Sequence, residues 1–297
     1  MATLAGQTTS SAHARSAGRR IKQGKVAHKT LLWVLNLFFL FFFLFPFYWQ
    51  TVTALKPTSE IFVTPVVWVP SHLDFSHFQN VFIGRDFGRN ILNSVIVATT
   101  TTVVCLLVGT FSAYALARLP LPAKRTILVL VVVMVTFPGI ALVASLFIFL
   151  RDLNLTNTYG ALIIPYVAFS LPFAIWVLTN FFRDVPADLS EQAEVDGCTP
   201  VQSLTRVILP LSVPALVTAG LLIFIGAWNE FLFAYTFTSQ AAMQTVPVAI
   251  YYFGGIHEVP WGEISAASEI VSLPIIVLVL IFQRRIVQGL TAGSLKG

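Results

Sequence analysis

Charge is what this 297-residue sequence has least of: Asp, Glu, Lys and Arg together make up 10% of it. A soluble domain carries about 25%, so a fully water-solvated globule is excluded. Reactive chemistry is equally sparse. The two cysteines, Cys105 in an apolar run and Cys198 in a polar stretch, do not suggest a disulfide. There is no Gly-x-x-x-x-Gly-Lys-[Ser/Thr] phosphate loop, no His-Glu-x-x-His, no Cys-x-x-Cys and no Gly-x-Ser-x-Gly elbow. His13, His28, His72, His77 and His257 have no ligand partner nearby in sequence, so no metal site is expected. The expectation is a chain that is not itself an enzyme, binds no cofactor and leaves any ATP to another subunit.

What the chain does have is apolar length. Hydrophobic residues make up 56% of it, and the mean hydropathy is +0.81. Runs of about 20 apolar residues read as membrane helices, and six are expected: 31–54, 91–117, 126–150, 159–182, 211–235 and 264–282. The first is too long for a signal peptide and lacks a small-residue cleavage site, so it should stay as an anchor. Prolines 46, 138, 165, 172, 214 and 274 interrupt the runs. Such breaks suit a moving or cavity-lining bundle better than a passive anchor.

The net charge of +5 reads as topology rather than nucleic-acid binding. Fourteen of the 18 Lys and Arg residues fall in segments 1–29, 118–125, 183–206 and 284–297. Only Lys56, Arg85, Arg89 and Arg151 fall on the other side. The positive-inside rule then puts both termini and the 184–210 loop in the cytoplasm. The domain reading is a basic, disordered tail over 1–29, a six-helix body over 30–283 and a cytoplasmic tail over 284–297. The loops 55–90 and 236–263 become external, the first with a strand or interfacial turn at Val66-Val67-Trp68 and the second projecting from the membrane.

The 184–210 loop is an acidic, helix-forming island. Asp184 is expected to cap a helix opening at Val185-Pro186. Asp188, Glu191 and Glu194 load its first half, where the helix dipole favours negative charge. Gly197 suits the left-handed residue that ends a helix. Thr199-Pro200-Val201-Gln202 carries the capping-box pattern for a second helix, expected to stop near Ile208 ahead of Pro210. Two short helices meeting at a glycine make a polar knob shaped to fill a groove on another protein. Within the apolar runs only Glu230 and Glu269 are acidic. With Asn229 they are expected to line an external vestibule on the path of a hydroxylated solute, or else simply to reach the interface or bond backbone at helix ends.

The knob resembles the coupling loop of ABC importer permeases, which reads Glu-Ala-Ala, three residues, Gly, nine residues, Ile-x-Leu-Pro. Glu191, Ala193, Gly197, Leu209 and Pro210 stand at that spacing, with Gln192 and Val207 as mild departures. Thr53-Ala54-Leu55-Lys56-Pro57, Asn93-Ser94, Ala227-Trp228-Asn229-Glu230-Phe231 and the tail from Phe282 to Gly297 resemble the smaller, MalG-like permease of the maltose class of carbohydrate importers.

The resemblance implies an all-α, six-helix type I importer permease in the bacterial inner membrane. Its partners would be a second, homologous permease, two ATPase subunits that bind ATP and Mg, an extracytoplasmic solute-binding protein, and membrane lipid. Glu191, Ala193, Asp196, Gly197, Leu209 and Pro210 would dock in an ATPase cleft, and Arg284, Arg285 and Lys296 would lie along the ATPase pair. The larger permease would hold most of the substrate contacts. Two other function classes stay open: an importer permease for glycerol phosphate, amino acids or peptides, and an ion-coupled secondary carrier.

Overall fold

The computed structural model describes the backbone of residues 5–255 and 259–291, and the side chains of 28–255 and 259–285. Every regular element among them is helical. In chain order the α-helices are α1 (Ala5–Leu55), α2 (Ser76–Ile83), α3 (Phe87–Arg118), α4 (Lys124–Val135), α5 (Val143–Asp152), α6 (Tyr159–Asp184), α7 (Ala187–Val195), α8 (Pro200–Ser203), α9 (Leu209–Leu211), α10 (Val213–Asn229), α11 (Leu232–Phe237), α12 (Val246–Tyr251) and α13 (Trp261–Thr291).

The expected irregular tail is helical from Ala5 and continuous with the first apolar run. Ala, Arg, Lys and Gln recur through it and are strong helix formers, and no proline stands before Pro46. At the other end α13 runs on through Arg284 and Arg285 to Thr291. Lys296, His13 and His257 lie outside the residues whose side chains are described. Val66-Val67-Trp68 forms neither strand nor helix. Trp68 instead stacks edge-on against Trp49, and its carbonyl accepts the Tyr48 hydroxyl at 2.7 Å.

Four helices are long and apolar enough to cross a membrane, and the count reaches six if each of two bent pairs is one span. The expected third run, 126–150, is one of these pairs: α4 and the stretch Gly139–Asp152 meet at 87°. Pro138 is the cause. It has no N–H to continue the helix and pushes Phe137 away from helical backbone. The expected fifth run also breaks, because α10 ends at Asn229 and Glu230 is extended (φ −67°, ψ 129°) before α11 begins.

Helices α3 and α6 run side by side in the same direction, from Asn93 beside Tyr159 to Arg118 beside Phe182; they form the centre, with α10 packed against both and α13 against α10. Gly109 sets their approach: a Cβ there would lie 3.0 Å from the Ala174 Cβ. Small residues at a helix crossing let membrane helices pack by close backbone contact. Around α1 the residues from Leu31 to Leu44 leave their large side chains exposed, as lipid would favour.

Candidate functional site

At one end of the bundle α7, α8 and α9 build the knob. Asp184 is the last residue of α6, and Pro186 takes the cap position of α7 with no side-chain hydrogen bond. The far end of α7 follows the sequence closely. Gly197 is left-handed at φ 79°. Its N–H donates to the Glu194 carbonyl at 3.0 Å, and the Cys198 N–H to the Ala193 carbonyl at 2.9 Å. This pair of bonds satisfies the last carbonyls of the helix. The capping box is complete: the Gln202 N–H reaches Thr199 Oγ1 at 3.3 Å, and the Thr199 N–H reaches Gln202 Oε1 at 2.8 Å.

The second helix does not stop before Pro210. It widens into a π turn over Leu204–Ile208, closed by the Leu209 N–H on the Leu204 carbonyl. A proline ring at 210 would crowd the Arg206 carbonyl in a normal α turn; one added residue in the turn relieves that clash. The chain then bends by 81° into α10.

Ser190, Ala193, Ser203, Leu204 and Ile208 form the buried face of the knob. Leu204 and Ile208 pack with Ala113, Tyr114, Leu178, Phe182 and Ala215, with Leu209 at the edge. Arg118, at the end of α3, adds a tie through its guanidinium. Nη2 donates to the Phe182 carbonyl at 2.7 Å and also to the Val185 carbonyl. The outward face carries Glu191, Glu194, Asp196, Gly197 and Pro210, and Val195 projects at 88% exposure. The site is a firmly seated plug with an acidic rim and an apolar tip.

At the opposite end of α10 the three expected vestibule residues part company. The Glu230 carboxylate caps α11, accepting the N–H groups of Phe233 at 2.9 Å and Ala234 at 3.1 Å, and it also accepts the Tyr166 hydroxyl. Asn229 is exposed and donates Nδ2 to the Ile225 carbonyl at 2.9 Å. Glu269 is half-buried on α13 and makes no hydrogen bond or ion pair among the described residues. The segment after α11 does not project. Asn93, fully buried, donates Nδ2 to the Ala242 carbonyl at 2.9 Å and the Gln244 carbonyl at 3.0 Å, and accepts the Tyr159 hydroxyl at 2.8 Å.

Asn90 reaches the Gln244 carbonyl at 3.0 Å, Ser94 Oγ accepts the Val246 N–H at 2.9 Å, and Asn157 Oδ1 accepts the Ser239 and Gln240 N–H groups. This asparagine seat folds residues 238–246 down onto α3. In the sequence, only Asn93-Ser94 of this seat stood out, as part of a resemblance and not as a seat for residues 238–246. Among the described residues no group of three metal-ligating side chains converges.

A model of the family described as "binding-protein-dependent transport system inner membrane component" matches residues 105–292. The chain is 42% identical over 274 residues to the trehalose transport system permease protein SugB of Mycobacterium tuberculosis, covering 91% of this chain and 99% of that one. It is 41% identical over 257 residues to the trehalose/maltose transport system permease protein MalG of Thermococcus litoralis, covering 86% and 92%. Among solved structures, a chain of a bacterial ABC transporter that imports the acidic polysaccharide alginate superposes with a TM-score of 0.72 at 22% identity. That match covers 84% of this chain and 93% of that one. A chain of the MetNI methionine ABC transporter superposes with a TM-score of 0.56 at 18% identity, covering 70% and 97%. The same fold thus occurs in transporters of a sugar polymer and of an amino acid, so the fold alone does not name a cargo.

Proposed function

We infer the function from one premise: the chain belongs to the family of binding-protein-dependent transport system inner membrane components. It is a multi-pass permease of a sugar ABC importer. Relatives named for trehalose, trehalose/maltose and diacetylchitobiose support a sugar as cargo over an amino acid or peptide. The proposed assembly adds a second permease, two ATPase subunits that bind ATP and Mg, and a solute-binding protein on the outer face. Fourteen basic residues beside the knob and the termini favour a cytoplasmic placement for those parts, with six passages of the membrane.

The observation that carries the mechanism is the plug itself. Glu191, Glu194, Asp196 and Val195 face outward, while Leu204 and Ile208 pack the inner face on α3 and α6, whose ends Arg118 ties together. A push on such a plug from closing ATPases moves the helices it is clamped to, and the bends at Pro138 and Ser212 offer places to absorb the motion. Arg284 and Arg285, exposed near the end of α13, and Lys296 beyond it would add charge contacts to the ATPases. Asn229 and Glu269 remain proposed for the solute path, whereas Glu230 supports it by holding α11.

The test is reconstitution of the assembled subunits in vesicles, with ATP inside and a sugar-loaded binding protein outside. ATP-dependent uptake of trehalose or maltose is the expected result. Uptake by this chain alone, driven by an ion gradient, would overturn the reading in favour of a secondary carrier.

A further inference from the structure

Resting on the reading of the chain as a sugar permease, we propose that this subunit contacts the cargo itself, through an aromatic corner formed by Phe231, Tyr235, Tyr251 and Tyr252. The rings come from two elements, α11 with the residue before it and the end of α12. Phe231 and Tyr235 stack at 5.4 Å, and Tyr235 and Tyr252 stack at 5.9 Å. Tyr251 stands across them, at 82° to Tyr235, 62° to Phe231 and 75° to Tyr252. All four rings are exposed, Tyr251 at 58%. Among the described residues none of the three phenol hydroxyls has a hydrogen-bond partner.

The corner continues a face of α10 that lipid would not favour. Leu222, Gly226 and Asn229 stand four and three residues apart, on one side of the helix, and all are exposed. A Cβ built on Gly226 would meet nothing within 4 Å, so backbone is bare there. Among the described residues the Asn229 Oδ1 has no partner, since only its Nδ2 is used. Bare backbone and an open amide are costly against hydrocarbon and inexpensive beside a water-filled path. The helix break at Glu230 aims the rings at the end of this face, and discontinuous helices are where membrane transporters place their solute sites.

A pyranose ring matches the chemistry on both counts. Its C–H face lies flat on an aromatic wall, and its rim of hydroxyls supplies partners for the phenols and the amide. The sugar's ring, rather than its charge, is what such a corner selects, because no ionised group belongs to it.

The experiment uses the complete transporter in vesicles, with radiolabelled trehalose and maltose as probes. Tyr251→Ala is expected to raise KM for uptake about fivefold, and Tyr251→Phe, which keeps the ring, about twofold or less. The subunits should still co-purify. Unchanged KM in Tyr251→Ala and Tyr235→Ala would overturn the proposal while leaving the permease reading intact. Loss of co-purification with the second permease would overturn it too, by assigning this face to the seam between subunits. A wild-type assembly that takes up neither probe would instead remove the sugar reading on which the corner rests.

Discussion

The knob and the asparagine seat are built by opposite means. The hydrogen bonds that shape the knob's turn close within five residues: Cys198 on Ala193, Gly197 on Glu194, Thr199 with Gln202. The seat joins Asn93 to Gln244 across 151 residues, Ser94 to Val246 across 152 and Asn157 to Ser239 across 82. A turn made of near neighbours can keep its shape when pushed, so the knob suits a lever. A seat made of distant partners fixes where a segment lies, so it sets the position of α12 and of the tyrosines that α12 carries. Damage should therefore spread from the seat through the whole far end, and from the knob only to the partner it meets.

The largest effect is therefore expected at the seat. Asn93→Leu removes one donor from the Ala242 and Gln244 carbonyls, which keep only Arg89 and Asn90, and takes the acceptor from the Tyr159 hydroxyl; it should destabilise the detergent-solubilised protein by about 2–3 kcal/mol. Thermal unfolding of the purified chain reads this directly; a change within about 0.5 kcal/mol would mean that water replaces the asparagine. Next comes Gly197→Ala. Its Cβ meets nothing within 4 Å, so the cost is backbone strain alone at φ 79°, roughly 1–2 kcal/mol. Uptake should fall while insertion holds and the unfolding temperature drops by only a few degrees, and equal loss of uptake and of insertion would remove the contrast with the seat.

Thr199→Ala should cost about 1 kcal/mol through the lost cap. Its effect belongs in uptake, measured beside Thr199→Ser, which keeps the oxygen and should behave as wild type.

The smallest effect is a pH dependence in the 55–75 loop. The Ser71 hydroxyl, and then its N–H, hold the Glu60 carboxyl below its usual 4.5. A lowered folded-state value means the tie contributes fully above the ordinary glutamate range and is lost as pH falls through the lowered one. A spin label at Leu73 should gain mobility only in that acid window, and Glu60→Gln should make it indifferent to pH.

This same contrast explains what could be read from the sequence. Gly197, the Thr199–Gln202 box and the membrane runs were legible because helix caps and apolar length are local signals. The breaks were half legible. Pro138 and Pro210 stand out in the sequence, but an 87° elbow at one and a π turn before the other depend on what packs alongside. The helix replacing the expected irregular tail shows composition read with too little weight on propensity. Glu230 was seen as an intramembrane acid, and helix-end bonding was one of its two readings; its partner Tyr166 lies 64 residues away and no spacing rule links them. The asparagine seat was missed altogether. Asn90 and Asn157 carry no local signal of this role, because the backbone carbonyls and N–H groups they bind lie 151 to 154 and 82 to 83 residues away.

In the proposed assembly the outward face of the knob meets a nucleotide-driven partner. The most direct measurement is photo-crosslinking from position 195, where Val195 projects at 88% exposure from a rim of Glu194 and Asp196. A photoreactive amino acid placed there in the assembled transporter should form an adduct with the ATPase subunit, in a yield that changes when ATP is added. Adducts only with lipid or with the second permease, in a complex that still carries out ATP-driven uptake, would contradict the account.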